Sequence, residues 1–130
     1  MNNNSMVVND ANITSRCRGR IKPGVYLILP SENRVFSYIP GFENVAFQIL
    51  ATPQLGAKFL QYELFVHKNG GVSTPYLEHL EQFYYVLEGN LEFEVNGTTY
   101  ELERGSFCWL PPQQVFRFRN KYQQTCRLVW

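Results

Sequence analysis

Residues 82–97 read QFYYVLEGNLEFEVNG. In Leu91-Glu92-Phe93-Glu94-Val95 the odd positions are apolar and the even ones acidic. Successive side chains of a strand point to opposite faces, so this run presents one side to a core and the other to water. Asn96-Gly97 follows, and both residues tolerate the positive φ that a two-residue hairpin turn requires. The run 98–102 then returns along the first, which predicts a β-hairpin over 91–102. A further strand, 83–87, precedes it and is closed by the breaker Glu88-Gly89-Asn90.

The same alternation of short β-type runs and turn residues extends outward in both directions. Strands are predicted at 25–29, 35–39, 45–51, 58–67, 83–87, 91–95, 98–102, 106–110, 115–119 and 125–130. Pro40-Gly41, Pro53 to Gly56, Gly70-Gly71 and Pro111-Pro112 are the remaining breakers. Leu60, Tyr62, Leu64 and Val66 make one apolar face, and in 116–119 the phenylalanines point in and the arginines out. No 3.6-residue pattern competes, and there is no tandem repeat. Regular short strands with frequent turns argue for an all-β sandwich or barrel. The Asn-rich start, residues 1–15, is expected to be disordered, leaving 16–130 as one domain.

Composition agrees with sheet. The 130 residues include ten Phe and eight Tyr, which suit a pleated, half-buried surface. Twelve basic and eleven acidic residues give a net charge of +1. Without a basic excess, a nucleic-acid partner is not expected; the short cluster Arg16, Arg18, Arg20 reads as a solvated segment. No secretory leader and no membrane-length apolar run are recognised, so the expected location is the cytoplasm. Cys17, Cys108 and Cys126 are odd in number and widely spaced. They suggest neither a disulfide framework nor a thiolate metal site, and Cys108 reads as a buried small hydrophobe. His67 is expected at a strand end on the surface, and His79 reads as a surface or interface histidine. Glu78 and Glu81, three residues apart, fall on opposite faces of a regular strand and are rejected as a catalytic pair. No phosphate-cradling loop or nucleophile elbow is present.

Two glycine-framed segments resemble the cupin family. Its first motif runs Gly, five residues, His-x-His, three or four residues, Glu, six residues, Gly. This chain has Gly70, Tyr76-Leu77-Glu78, Gln82 and Gly89 at those places. The second motif, ending in Pro-x-Gly, a histidine and an asparagine, is matched by Gly105, Pro111, Gln113, Phe116 and Asn120. The resemblance implies a single cupin domain, a double-stranded β-helix or jelly-roll barrel. It also assigns the four metal-ligand positions, which here hold Tyr76, Glu78, Gln82 and Phe116. Glu78 is a good ligand and Gln82 a weak one. Tyr76 coordinates only occasionally, and Phe116 cannot coordinate at all. No metal and no catalytic residue are expected in this chain. The four side chains are instead expected to converge on a barrel-mouth pocket able to take a small polar ligand.

A longer stretch is more specific. Residues 40–71 read PGFENVAFQILATPQLGAKFLQYELFVHKNGG. With IKPGVYLILPSENRV before it, this is similar to the first barrel of bacterial (S)-ureidoglycine aminohydrolases. The resemblance implies a bicupin hydrolase of allantoin and purine catabolism that assembles into oligomers, with manganese held in the second barrel and a metal-free first barrel. This chain reads as that first barrel with the second absent. Its expected partners are a second cupin barrel or further copies of itself, and a ureido-type ligand is the candidate small molecule.

Overall fold

The computed structural model describes residues 19–73 and 79–130. The predicted disorder of 1–15, the arginines at 16 and 18, and Cys17 lie outside the described residues. Eleven strands are described: β1 (Arg20–Lys22), β2 (Tyr26–Ile28), β3 (Phe36–Ser37), β4 (Phe42–Ala51), β5 (Gln61–Val72), β6 (Gln82–Glu88), β7 (Leu91–Val95), β8 (Thr98–Leu102), β9 (Phe107–Leu110), β10 (Phe116–Arg119) and β11 (Cys126–Val129). Among the described residues, two single 3-10 turns, Ser31–Asn33 and Pro53–Leu55, interrupt the β-structure. None of the described helices is long and apolar enough to cross a membrane.

Strands β1 and β2 form a small hairpin of their own. The other nine build an all-β, nearly closed antiparallel barrel with the order β8-β7-β10-β5-β11-β6-β9. β4 pairs with β5, and β3 with β4. The β7–β8 hairpin has the predicted bounds, with φ 52° at Asn96 and 76° at Gly97.

Gly70-Gly71, predicted as a break, lies inside β5 instead. There the strand bulges: Glu43 pairs with Gly71 while Val45, two residues on, pairs with Val66. The extra residues turn a corner, which a bulge does without ending the strand. Before the corner β5 pairs with β11, and after it with β10. One strand therefore serves two sheets: β3, β4, β5, β11, β6 and β9 on one side, and β10, β7 and β8 with the far ends of β4 and β5 on the other. A Cβ on Gly71 would lie 2.1 Å from the Phe118 carbonyl oxygen, so the position must stay bare.

Asn120, fully buried, ties the corner together. Its backbone N–H donates to Gly70 O, and its carbonyl accepts from Asn69 N. Its side-chain amide donates to Val66 O at 2.8 Å and Gln124 O at 2.7 Å, and its Oδ1 accepts from Tyr122 N. Backbone groups left idle by the bulge are satisfied in this way.

Between the sheets lies an aromatic core. Phe42, Phe47, Tyr84, Phe93, Phe116, Phe118 and Trp130 are buried in one cluster with Leu64, Val66, Leu91 and Leu128. Each such side chain contributes about 1.5–3 kcal/mol on burial. On the outside of β5, buried Glu63 receives Arg34 at 2.6 Å and Arg127 at 2.6 Å, pinning the segment before β3 against the sheet.

Burial pushes the Cys126 thiol up from its ordinary 9.0 to about 12. The Tyr84 hydroxyl rises well above 10, from burial first and then from Cys108, against the lowering hydrogen bond from Trp130. Both groups are neutral when protonated, so the fold favours their protonated forms. Their contribution is fully present below the ordinary thiol value and is lost as pH rises towards about 12. The melting temperature should therefore fall between these limits, and Cys126→Ala should make the fall shallower, as followed by circular dichroism.

Candidate functional site

Of the four positions assigned by spacing, Tyr76 and Glu78 lie outside the described residues. Gln82 opens β6 and Phe116 opens β10; both are buried. Alternation along β6 turns Gln82, Tyr84 and Val86 inward. The Gln82 Oε1 accepts two hydrogen bonds, from Tyr84 OH at 3.0 Å and from Trp130 Nε1 at 2.9 Å. Phe116 lies parallel to Phe93 with ring centroids 5.4 Å apart and tilted against Tyr84 at 5.7 Å. Tyr84 thus joins the two positions, bonding one through its hydroxyl and packing on the other through its ring.

Beside Gln82 the barrel end opens into a cleft of about 430 Å³. Lys58 and Gln61, which precede or open β5, line it together with Leu80, Glu81, Phe83 and Trp130. The cleft is mainly apolar, with two amides and one charge of each sign. An apolar cleft with a few polar groups has the make-up of a small-molecule site. Tyr84 gives its one hydroxyl proton to Gln82 and does not itself line the cleft.

At the two described positions neither side chain is a ready ligand for a divalent ion. Gln82 offers an amide oxygen already accepting two hydrogen bonds, and Phe116 offers only a hydrocarbon ring packed on rings. No group of three or more His, Cys, Asp or Glu that can hold a metal is found among the described residues.

Tyr84 and Trp130 were not among the residues singled out from sequence. Tyr84 was within reach of that reading, since it shares the inward face of β6 with Gln82. Trp130 was not: it reaches Gln82 only because β11 inserts between β5 and β6. His67 does not end a strand; it is exposed inside β5, with Nδ1 3.0 Å from Thr125 Oγ1. His79 is exposed. Glu81 is exposed and accepts from Trp109 Nε1 at 3.3 Å. Cys108, expected to be buried, is half-buried, because β9 lies at the edge of its sheet. In the second glycine-framed segment Gln113 has φ 65°, so the backbone keeps a conformation that favours glycine although the residue has changed.

The corner after Gly70, the two-sheet jelly roll and the paired positions at 82 and 116 define a cupin. Residues 63–130 match the family model of the cupin domain, and the chain belongs to that family. Among its relatives is the (S)-ureidoglycine aminohydrolase of Escherichia coli (strain K12), 38% identical over 104 residues. That match takes in 79% of this chain and 40% of the enzyme's length. Among solved structures, protein Ylba from E. coli superposes with a TM-score of 0.80 at 33% identity, over 91% of this chain and 49% of that one. The polyketide cyclase RemF from Streptomyces resistomycificus gives 0.70 at 25% identity, over 78% of this chain and 75% of RemF. The chain thus spans less than half the length of the ureidoglycine aminohydrolase it resembles.

Proposed function

We propose that this chain is the non-catalytic, structural barrel of a (S)-ureidoglycine aminohydrolase-type enzyme, acting in the cytoplasm in allantoin breakdown beside a separate barrel that carries manganese and the chemistry. The observation that carries this reading is the packing of Phe116, stacked on Phe93 and tilted against Tyr84, which fills with rings the space where a ligand imidazole would project. The likeness to the E. coli enzyme supplies the reaction, and the match to 40% of its length supplies the idea of a partial unit. The purified chain should release no ammonia from (S)-ureidoglycine, with or without Mn²⁺, and should bind less than one-tenth equivalent of manganese under excess metal, by the rough criterion that a functional site fills. Clear turnover, or a stoichiometric ion, would overturn it.

The cleft beside Gln82 favours a second reading, a module that binds a small ureido-type ligand at the barrel mouth. It predicts that ureido compounds raise the melting temperature of this chain while Mn²⁺ does not. No shift with any ureido compound removes it.

A further inference from the structure

The β1–β2 hairpin stands apart from the barrel, and among the described residues no ladder joins it to the nine-stranded sheet. It is fastened at two points instead. At its tip, Gly24 meets Gly56 of the turn between β4 and β5, backbone against backbone, and a Cβ on Gly56 would run into the Gly24 nitrogen. At its base, the Gly19 N–H donates to Asn33 Oδ1 at 3.2 Å, and Arg34 is bound to buried Glu63 at 2.6 Å. The hairpin is thus a strap held at both ends. Beneath it lies a hollow of about 450 Å³. Val25, Leu27 and Leu29 line this space from the strap, and Leu50, Leu55 and Phe59 from the barrel. Ala57, also on the wall, is too short to fill it. Packed protein leaves few voids larger than a water molecule. This one does not close by collapse, because the contact of Gly24 with Gly56 sets the height of the strap.

We propose that the hollow under the strap binds a small, neutral, mainly apolar molecule. Three features select that class. The first is charge. None of the described residues that line the space is charged, so an ion of either sign would give up hydration and meet no counter-ion there. The second is polarity. Water in such a space finds few partners, and an apolar molecule displaces it favourably. The Gln61 amide and the Tyr26 phenol are the polar side chains on the wall, enough to orient one hydrogen-bonding group of a ligand. The third is size. The volume falls within the range of about 300–1,000 Å³ that small-molecule pockets occupy. A protein partner needs roughly 800 Å² of open surface from each side, which a strapped-over hollow does not present.

This space adjoins the barrel-mouth cleft without being part of it. Phe59 and Gln61 line both, so the segment that carries them is the wall between the two. The inference goes beyond the scaffold and ureido readings and rests on neither. It concerns a different cavity and a different ligand chemistry.

The test is fluorescence titration of the whole chain into phenylnaphthylamine, a neutral apolar probe whose emission rises when it leaves water. A probe of about 17 non-hydrogen atoms should bind saturably with a Kd of about 0.1 mM. Its anionic counterpart, anilinonaphthalene sulfonate, should bind about tenfold more weakly or worse, since no cation lines the hollow. Ala57→Phe fills the space, and Leu55→Asn sets an unmet amide in its wall. Each should weaken the neutral probe about tenfold or more, with an unchanged circular dichroism spectrum. Leu80→Asn, in the barrel-mouth cleft alone, should leave the affinity as it was. Absence of saturable binding overturns the proposal, as does equal binding of the sulfonate. So does an unchanged affinity in either folded wall variant. A loss in Leu80→Asn assigns the probe to the cleft and overturns it as well. A melting shift with ureido compounds bears on the cleft reading, whichever way the probe behaves.

Discussion

Phe93→Ala should lower the free energy of unfolding by about 3–5 kcal/mol, the range for truncating a buried phenylalanine. Phe93 is 1% exposed and has rings on three sides. Phe116 and Phe118 are stacked on it, with interplanar angles of 1° and 15°, and Tyr84 is tilted against it at 5.4 Å. These neighbours come from β10 and β6, whose backbones are fixed by their ladders, so they cannot close the space left behind. Urea denaturation followed by tryptophan fluorescence checks the value, because Trp130 stacks on Tyr84 and reports on the same cluster. A loss below 1 kcal/mol would mean that the core collapses around the gap. The ring-filled interior would then be softer than its packing implies.

Asn120→Ala should cost about 3 kcal/mol, since leaving each buried polar partner unsatisfied costs about 1–3 kcal/mol. Three bonds disappear together: those to Val66 O, to Gln124 O and from Tyr122 N. Asn120→Asp is the sharper probe. It preserves shape and the acceptor towards Tyr122, but sets a carboxylate against two carbonyl oxygens. It should be no better than alanine. If aspartate proves harmless in the same urea titration, the amide donors are not what holds the corner.

The fold was largely legible because alternation is local. Leu91 to Val95 and Thr98 to Leu102 have their predicted bounds, since apolar and polar positions and the Asn96-Gly97 turn all agreed. The corner was not legible. Asn69-Gly70-Gly71 has turn chemistry, and only the pairing of Gly71 with Arg119 and of Val66 with Cys126 shows the strand continuing through it. β1 was missed because Arg20–Lys22 is short, exposed and without an apolar face. Within the candidate site, spacing pointed to Gln82 and Phe116, but not to Tyr84, which touches both, or to Trp130, which donates to Gln82. Trp130 lies 48 positions from the amide it donates to, and no local pattern reports such a contact. The exposed rings of β6 and β9 were hidden for another reason. In β6 and β9 both faces are apolar, so alternation could not say which rings point outward.

The order of the strands has a bearing on how the protein is made. β11 is the last described strand in the chain, yet it fills the slot between β5 and β6. While residues 126–129 are still inside the ribosome, both neighbours present open ladders and the aromatic interior has no lid. Folding of that sheet must therefore wait until residues 126–129 have emerged, and the waiting intermediate exposes the kind of unpaired edge that recruits other chains. Its yield in cells should depend more on chaperone supply than its native stability would suggest.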